Sequence, residues 1–412
     1  MLAKLRLLSA VVLTLTIHPL TNALVIDRDA APIAFPVVKR VNMTGTTKLV
    51  EVDQARARAL RERAQGKWDH HHPPPPVHVT NQVVTYVAQV EVDKQPFALI
   101  VDTGSSNTWV GAGLQQYNDT GKTSEGCVSV SYGSGYIFGA VYNGTVTLGR
   151  RLAIQKQTFG SAYFAIGFND VDGILGIGPT DLTEGTIDPA PPSGLTPTVT
   201  DNAYTQRLIR HKEVCMFYAP AKSQSDPNGE LTFGGSNPDK CTGSLNYVPI
   251  TTVSPASSFV GIDLKKITFN GDVLSSAVTS GIVDTGTTLI YLPTDTFSAY
   301  QNATNATLDD NTGLLKITKE QYDELPPLNF HIGETTYGLT PNGQIWPRAL
   351  NTLIGGEADA IYLVVGDSGA VSGSGLDFII GYTFLERFYH CYDSQNNQAG
   401  FATTPYTHAT TN

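Results

Sequence analysis

The 412 residues predict a mainly β protein built from two similar lobes that share one site. Three observations lead there. The triplet Asp-Thr-Gly occurs twice, each time closing an apolar run: Asp102-Thr103-Gly104 after Phe97-Ala98-Leu99-Ile100-Val101, and Asp284-Thr285-Gly286 after Gly281-Ile282-Val283. A second matched pair follows each triplet, Ile174-Leu175-Gly176 after the first and Ile379-Ile380-Gly381 after the second. Composition agrees: 39 Gly and 24 Pro, with abundant Thr, Val and Tyr, favour short strands and many turns. At 41% hydrophobic and only 16% charged, the chain is large enough for two sizeable cores.

The elements follow in order. Lys4 and Arg6 precede a short apolar run, Leu7 to Ile17, and Thr21-Asn22-Ala23 offers small residues for cleavage, so residues 1–23 read as a secretory signal and the protein as secreted and extracellular. Five N-x-S/T sequons, starting at Asn42, Asn118, Asn143, Asn302 and Asn305, fit a secretory glycoprotein. Residues 24–76 form a separate segment. An Arg-rich helix is predicted over 51–66, closed by Gly66, and Lys67-Trp68-Asp69, His70-His71-His72 and Pro73 to Pro76 follow it. The proline run is stiff and marks a boundary, and the three histidines read as linker rather than metal ligands. Segment 24–76 carries nine basic and six acidic residues, and the chain from Val77 carries 16 against 31. A basic leader on an acidic body predicts an electrostatically docked pro-segment, released when acid neutralises the carboxylates.

From Val77 short β patterns recur. Val83 to Val90 is one; Val128-Ser129-Val130-Ser131-Tyr132 alternates with period two, meets Gly133-Ser134-Gly135 and continues as Tyr136-Ile137-Phe138-Gly139, a hairpin with a glycine-rich tip. The stretch 179–199, rich in Pro, Thr and Gly, is expected to be a surface loop near the shared site. Cys127, Cys215, Cys241 and Cys391 allow three pairings, and Cys215 and Cys391 lie in apolar strand-like runs where free buried thiols also fit; no zinc spacing occurs. We expect no cofactor and no metal. A formal charge of −10 argues against nucleic acid, and no internal apolar run reaches the roughly 18 residues of a membrane span.

A carboxylate closing a buried strand needs a reason, because burying it unpartnered is costly. Two of them in contact cannot easily both ionise, so they share a proton and act as an acid–base pair. Ser105 and Thr287 are placed to donate to the neighbouring carboxylates, Thr103 and Thr285 to tie the loops together, and Gly104 and Gly286 to let backbone N–H groups approach. Such a pair can activate a water against an amide carbonyl, one Asp taking its proton while the other protonates the oxygen. Two carboxylates also serve glycoside hydrolysis, but that chemistry does not require twin Asp-Thr-Gly loops. His211, His331 and His390 lie in no nucleophile motif and no H-E-x-x-H occurs, against serine, cysteine and metallo-hydrolases.

Asp102 to Val110, the hairpin Tyr132-Gly133-Ser134-Gly135 and Asp284-Thr285-Gly286-Thr287-Thr288 together resemble the pepsin family of aspartic proteases, from about residue 80 to the C-terminus. The resemblance implies a bilobal fold with lobes at 77–255 and 256–412, and a cleft for polypeptide substrates and statine (pepstatin-like) inhibitors. It makes Asp102 and Asp284 catalytic and Tyr132 the flap tyrosine, hydrogen-bonded to Trp109. Gly133, Ser134 and Thr288 become substrate contacts. Ser134 stands where some fungal members carry Asp, which implies large apolar residues beside the scissile bond and poor cleavage after Lys. By the same resemblance Ile33, Phe35, Pro36, Val37 and Val38 add a strand to the body, Lys67 pairs with Asp102 and Asp284 in a latent precursor, and cleavage falls near Pro73–Val79. We expect a monomer. The competing expectation is a peptide-binding protein on the same fold, against which every motif position stands intact.

Overall fold

A computed structural model describes residues 31–43, 48–64, 82–113, 115–133, 135–149, 151–168, 170–223, 225–275 and 278–412. The expected signal at 1–23, Lys67-Trp68, the His and Pro runs, the expected cleavage region and Ser134 lie outside the described residues.

Strand β1 (Ile33–Met43) enters first, then helix α1 (Leu49–Ala64), which lies within two residues of its predicted bounds. β2 (Gln82–Val92) and β3 (Gln95–Asp102) form an antiparallel pair, and β3 ends on the first catalytic-type aspartate. β4 (Thr108–Val110), β5 (Gly126–Tyr132), β6 (Gly135–Leu148), β7 (Leu152–Ile166) and β8 (Gly173–Gly176) complete the first half. The expected hairpin is β5–β6, with Tyr132 facing Gly135 across its tip.

The internal repeat seen in sequence is a repeat in topology. β3 runs parallel to β8, Asp102 opposite Gly176, and β8 is antiparallel to β4. In the second half Thr279–Val283 runs parallel to Phe378–Ile380, which is antiparallel to Ile290–Leu292. Each aspartate therefore leaves a central buried strand and turns into a loop that its partner strands box in. Gly381 shows why the matched glycines are needed: a Cβ there would sit 2.2 Å from the Leu289 carbonyl oxygen and 2.7 Å from that of Thr287.

One fourteen-stranded sheet joins the halves, and the second half adds an eight-stranded sheet of its own, so the fold is two lobes of curled sheet. Phe388–Asp393, from the end of the chain, pairs with Glu213–Tyr218 from the first half, and Cys215 is bridged to Cys391 across that pair. The sequence left this pairing open; Cys127 and Cys241 are free thiols. β1 lies inside this joining sheet, between β2 and Ser225–Phe233, so the expected extra strand is internal and not an edge. It carries Lys39, fully buried, whose ammonium sits 2.7 Å from Glu386 and 4.8 Å from the centre of the Tyr382 ring. The stretch 179–199 is more ordered than a plain loop: Ile187–Asp188 pairs with β5, and a capping box at Thr198 starts the helix Val199–Thr205.

Candidate active site

The two Asp-Thr-Gly loops meet. The Thr103 N–H donates to the Thr285 hydroxyl and the Thr285 N–H to the Thr103 hydroxyl, both at 3.0 Å. Each hydroxyl then donates to a carbonyl of the other lobe, Thr103 to Val283 at 3.1 Å and Thr285 to Val101 at 2.9 Å. Four hydrogen bonds with no exposed atom lock the loops in near two-fold symmetry, so the carboxylates are positioned by backbone rather than by flexible side chains.

Each carboxylate has the same two local donors. The Gly104 N–H reaches Asp102 Oδ1 at 3.0 Å, and Ser105 reaches Oδ2 at 2.5 Å. The Gly286 N–H reaches Asp284 Oδ1 at 3.1 Å, and Thr287 reaches Oδ2 at 2.6 Å. Gly104 and Gly286 are spaced for this approach, since a Cβ on either would fall 2.6 Å from the opposite carboxylate. Both aspartates are fully buried.

Behind the hairpin, the Trp109 Nε1–H donates to the Tyr132 hydroxyl at 2.8 Å, and that hydroxyl also lies against Ser105. A polar chain thus runs from Trp109 through Tyr132 and Ser105 to Asp102. Phe168 packs edge-on against both rings, 4.8 Å from Trp109 and 5.2 Å from Tyr132. Burial raises the Tyr132 hydroxyl well above its usual range, so it stays a neutral donor.

The cation between the aspartates is Arg56 of α1. Lys67, expected between the aspartates, lies outside the described residues, and among those described the cation there is Arg56. Its Nε donates to Asp284 Oδ2 at 2.6 Å, and one Nη2 touches both acids, Asp102 Oδ1 at 2.5 Å and Asp284 Oδ1 at 2.9 Å. The physical reason lies in the helix. Asp53, Arg56, Leu60 and Arg63, spaced three, four and three apart, fall on one face, and that face is turned into the cleft. A planar guanidinium can span two carboxylates, which an ammonium cannot do in the same bidentate way. Burial pushes the Asp102 carboxyl up, Arg56 opposes, and the nearby Asp284 charge adds to the rise; the net direction is upward. Burial also pushes Asp284 up, but the charge and hydrogen bonds of Arg56, with Thr287 and Gly286, bring it below its ordinary value. Arg56 itself would lose its proton more readily through burial, and the two aspartates reverse that.

The rest of α1 fills the cleft. Asp53 accepts from the backbone N–H groups of Thr288 at 3.1 Å and Leu289 at 3.0 Å, so Thr288, expected to contact substrate, contacts the helix here. Burial raises the Asp53 carboxyl to about 7. Arg63 donates to the Leu182 carbonyl, which places the 179–199 stretch at the cleft as expected. Gly133 lies directly on the helix: a Cβ there would be 2.3 Å from the Ala55 carbonyl oxygen. Sequence reasoning singled out the aspartates, their Ser, Thr and Gly supports, Tyr132 and Trp109, but not Phe168, Leu289, Arg56 or Asp53; for the last two the signal was the one-face spacing within the predicted helix.

Among the described residues, Glu213, Cys215 and Cys391 are the one trio of donors close enough to hold a metal, and both sulfurs are spent in the disulfide. His331 is hydrogen-bonded to Thr268 and Thr336, and His390 is buried against Gly400, far in role from any nucleophile pair.

Two buried carboxylates on twin Asp-Thr-Gly loops, roofed by a tyrosine-bearing hairpin, define an acid protease of the two-aspartate type. The profile of the family described as eukaryotic aspartyl protease matches residues 85–404. Polyporopepsin of Irpex lacteus is 50% identical over 339 residues, 82% of this chain and 99% of that protein. Cathepsin E of Mus musculus is 32% identical over 75% of this chain and 77% of its own length, and pepsin A of Sus scrofa 29% over 75% and 78%. The crystal structure of the aspartic proteinase from Irpex lacteus superposes with a TM-score of 0.78, at 44% identity, over 93% of this chain and all of that one. The chain belongs to the pepsin family of aspartic proteases, which are endopeptidases.

Proposed function

We propose that this chain is the latent precursor of a secreted aspartic endopeptidase, with signal 1–23, pro-segment 24–76, and lobes 77–255 and 256–412. The observation that carries the reading is the single guanidinium held between two buried, symmetrically supported aspartates. With α1 gone, that position takes a water. Asp102 and Asp284 then share one proton, because two like charges at contact distance oppose double ionisation. The ionised partner takes a proton from water as the oxygen attacks the amide carbon; the protonated partner gives its proton to the carbonyl oxygen. Ser105, Thr287 and the Gly104 and Gly286 N–H groups hold the carboxylates in place through that exchange. Tyr132 and Gly133 close over the substrate, and Thr288 binds its backbone from the other side. The apolar surroundings of Tyr132, and Ser134 in place of an acid, favour large apolar residues beside the scissile bond.

Latency follows from the same contacts. Arg56 stabilises the doubly ionised pair, so at the two aspartates docking of α1 expels a proton and falling pH favours release. Substrates are polypeptides, statine peptides are inhibitors, and the enzyme acts as a monomer without cofactor. The test is hydrolysis of a denatured protein from pH 2 to 7, with and without a statine peptide. Acidic activity that the peptide abolishes, and that Asp102→Asn lacks, is the expected result. A chain freed of residues 1–76 that binds the statine peptide but cleaves nothing at any pH would instead be a peptide-binding protein.

A further inference from the structure

α1 uses two faces. Arg56 addresses the aspartates, Asp53 the Thr288 and Leu289 N–H groups and Arg63 the Leu182 carbonyl, whereas Gln54 and Arg61, seven residues apart and so on a common face, both address the loop 367–376. Gln54 donates to the Asp367 carbonyl at 3.1 Å. Arg61 donates through Nη2 to the Ser368 carbonyl at 2.7 Å and through Nε to the Leu376 carbonyl at 3.5 Å. The loop therefore presents acceptors, not donors, to the cleft. Its acids reinforce this. Burial and the neighbouring Arg58 charge weaken Arg61's hold on its proton, and the charges of Asp367 and Asp377 offset part of that loss, the net direction staying downward. Asp377, the residue after the loop, is itself fixed by the N–H groups of Ser374 and Gly375 and the Ser374 hydroxyl, so its position does not depend on α1.

We propose that the loop 367–376 is a substrate subsite for a guanidinium side chain, which Arg61 fills in the precursor. This deepens the endopeptidase reading and rests on it. A carbonyl pair flanked by carboxylates suits a planar cation with several N–H donors and offers nothing to an anion or an amide oxygen. The position along the peptide follows from the helix. Arg61 is five residues from Arg56, a rise of about 7.5 Å, which an extended peptide covers in two to three residues. The bond to be cut thus keeps its apolar neighbours, and the cation is recognised two or three residues away. No covalent step is involved.

The test uses the processed enzyme and a peptide series in which one arginine is walked from four residues before to four after a fixed apolar cleavage pair, with norleucine, lysine and citrulline controls. Arginine at one position, two or three residues from the bond, is expected to raise kcat/KM about tenfold over norleucine, with lysine intermediate. In Asp367→Asn the arginine-to-norleucine ratio at that position is expected to fall severalfold. Citrulline, which keeps the shape and most donors but not the charge, provides the same comparison on the unaltered enzyme should Asp367→Asn not fold. An enzyme that cleaves the norleucine peptides but shows no arginine preference anywhere overturns the subsite, as does a preference untouched by both Asp367→Asn and citrulline. Failure to cleave any peptide would overturn the endopeptidase reading itself, a separate and recognisable outcome.

Discussion

Replacing Arg56 with Ala should release the full-length chain from latency without removing a single residue of the body. The guanidinium makes three hydrogen bonds of 2.5–2.9 Å to two fully buried carboxylates. Removing one partner of a buried ion pair costs about 3–5 kcal/mol. Part of that is recovered here, because the orphaned aspartates can take up a proton and share it. A net loss near 3 kcal/mol weakens docking of α1 by about two orders of magnitude. The remaining contacts, Asp53 on two backbone N–H groups, Arg61 and Arg63 on carbonyls, and β1 in its sheet, should keep the segment attached but lift it from the aspartates often enough for turnover. Arg56→Lys should fall between, since one ammonium replaces a fork that spans both acids. The assay is the initial rate on a small quenched peptide at pH 5 to 7, with gel analysis of the same samples to show that the chain is still intact. Arg56→Ala as latent as the parent, alongside an active Lys67→Ala, would refute the reasoning and return the blocking role to the lysine.

Three further outcomes follow from named contacts. Asp53 binds its proton more tightly when docked (about 7) than as an ordinary carboxyl (3.8), so docking is favoured as pH falls from 7 towards 4, and above 7 the buried charge is a penalty of about 4 kcal/mol. Asp53 thus opposes acid release, and Asp53→Asn, which keeps an acceptor without the charge, should slow pro-segment release at pH 5–7 and match the parent below pH 4; faster release near neutrality would contradict this. Among the described residues, Lys39→Ala leaves the Glu386 carboxylate with the Tyr86 hydroxyl, 3.0 Å away, as its side-chain partner, and should lower the thermal midpoint of the precursor, while adding Glu386→Gln should restore part of it. A double variant no more stable than the single would show that the pair is not coupled. Tyr132→Phe removes the acceptor of the buried Trp109 N–H at a cost of about 1–3 kcal/mol, and kcat/KM on the processed enzyme should fall at least fivefold with the fold intact by circular dichroism.

What the sequence made legible was whatever is local or repeated. The Asp-Thr-Gly loops carry their own hydroxyl and glycine donors within three residues of each acid, so the support of each carboxylate could be read from spacing alone. The β5–β6 hairpin is equally local, and the doubling of the motif revealed that two such loops had to meet. Long-range partners were not legible in this way. Cys215 and Cys391 stand 176 residues apart, and only the register of two strands from opposite ends of the chain brings their Cα atoms to 4.0 Å. Lys39 on β1 and Glu386, which caps the helix Tyr382–Leu385, are 347 residues apart and are brought together only by the tertiary fold.

Arg56 lies between these cases. Its helix was predicted, and the spacing of Asp53, Arg56, Leu60 and Arg63 marks one face of it, but spacing does not say which face a helix turns towards a cleft. That orientation is set by where each side chain finds its complement. The acid Asp53 needs free N–H groups and finds them at Thr288 and Leu289, whereas Arg61 needs free carbonyls and finds them at Ser368 and Leu376. These anchors, acid on donors and base on acceptors, allow one rotation of the helix, and that rotation puts Arg56 on the aspartates. The same constraint makes the opposite charges of leader and body a coarse signal: they favour an approach of α1 to the cleft, and the alternation of donors and acceptors along it decides which arginine enters.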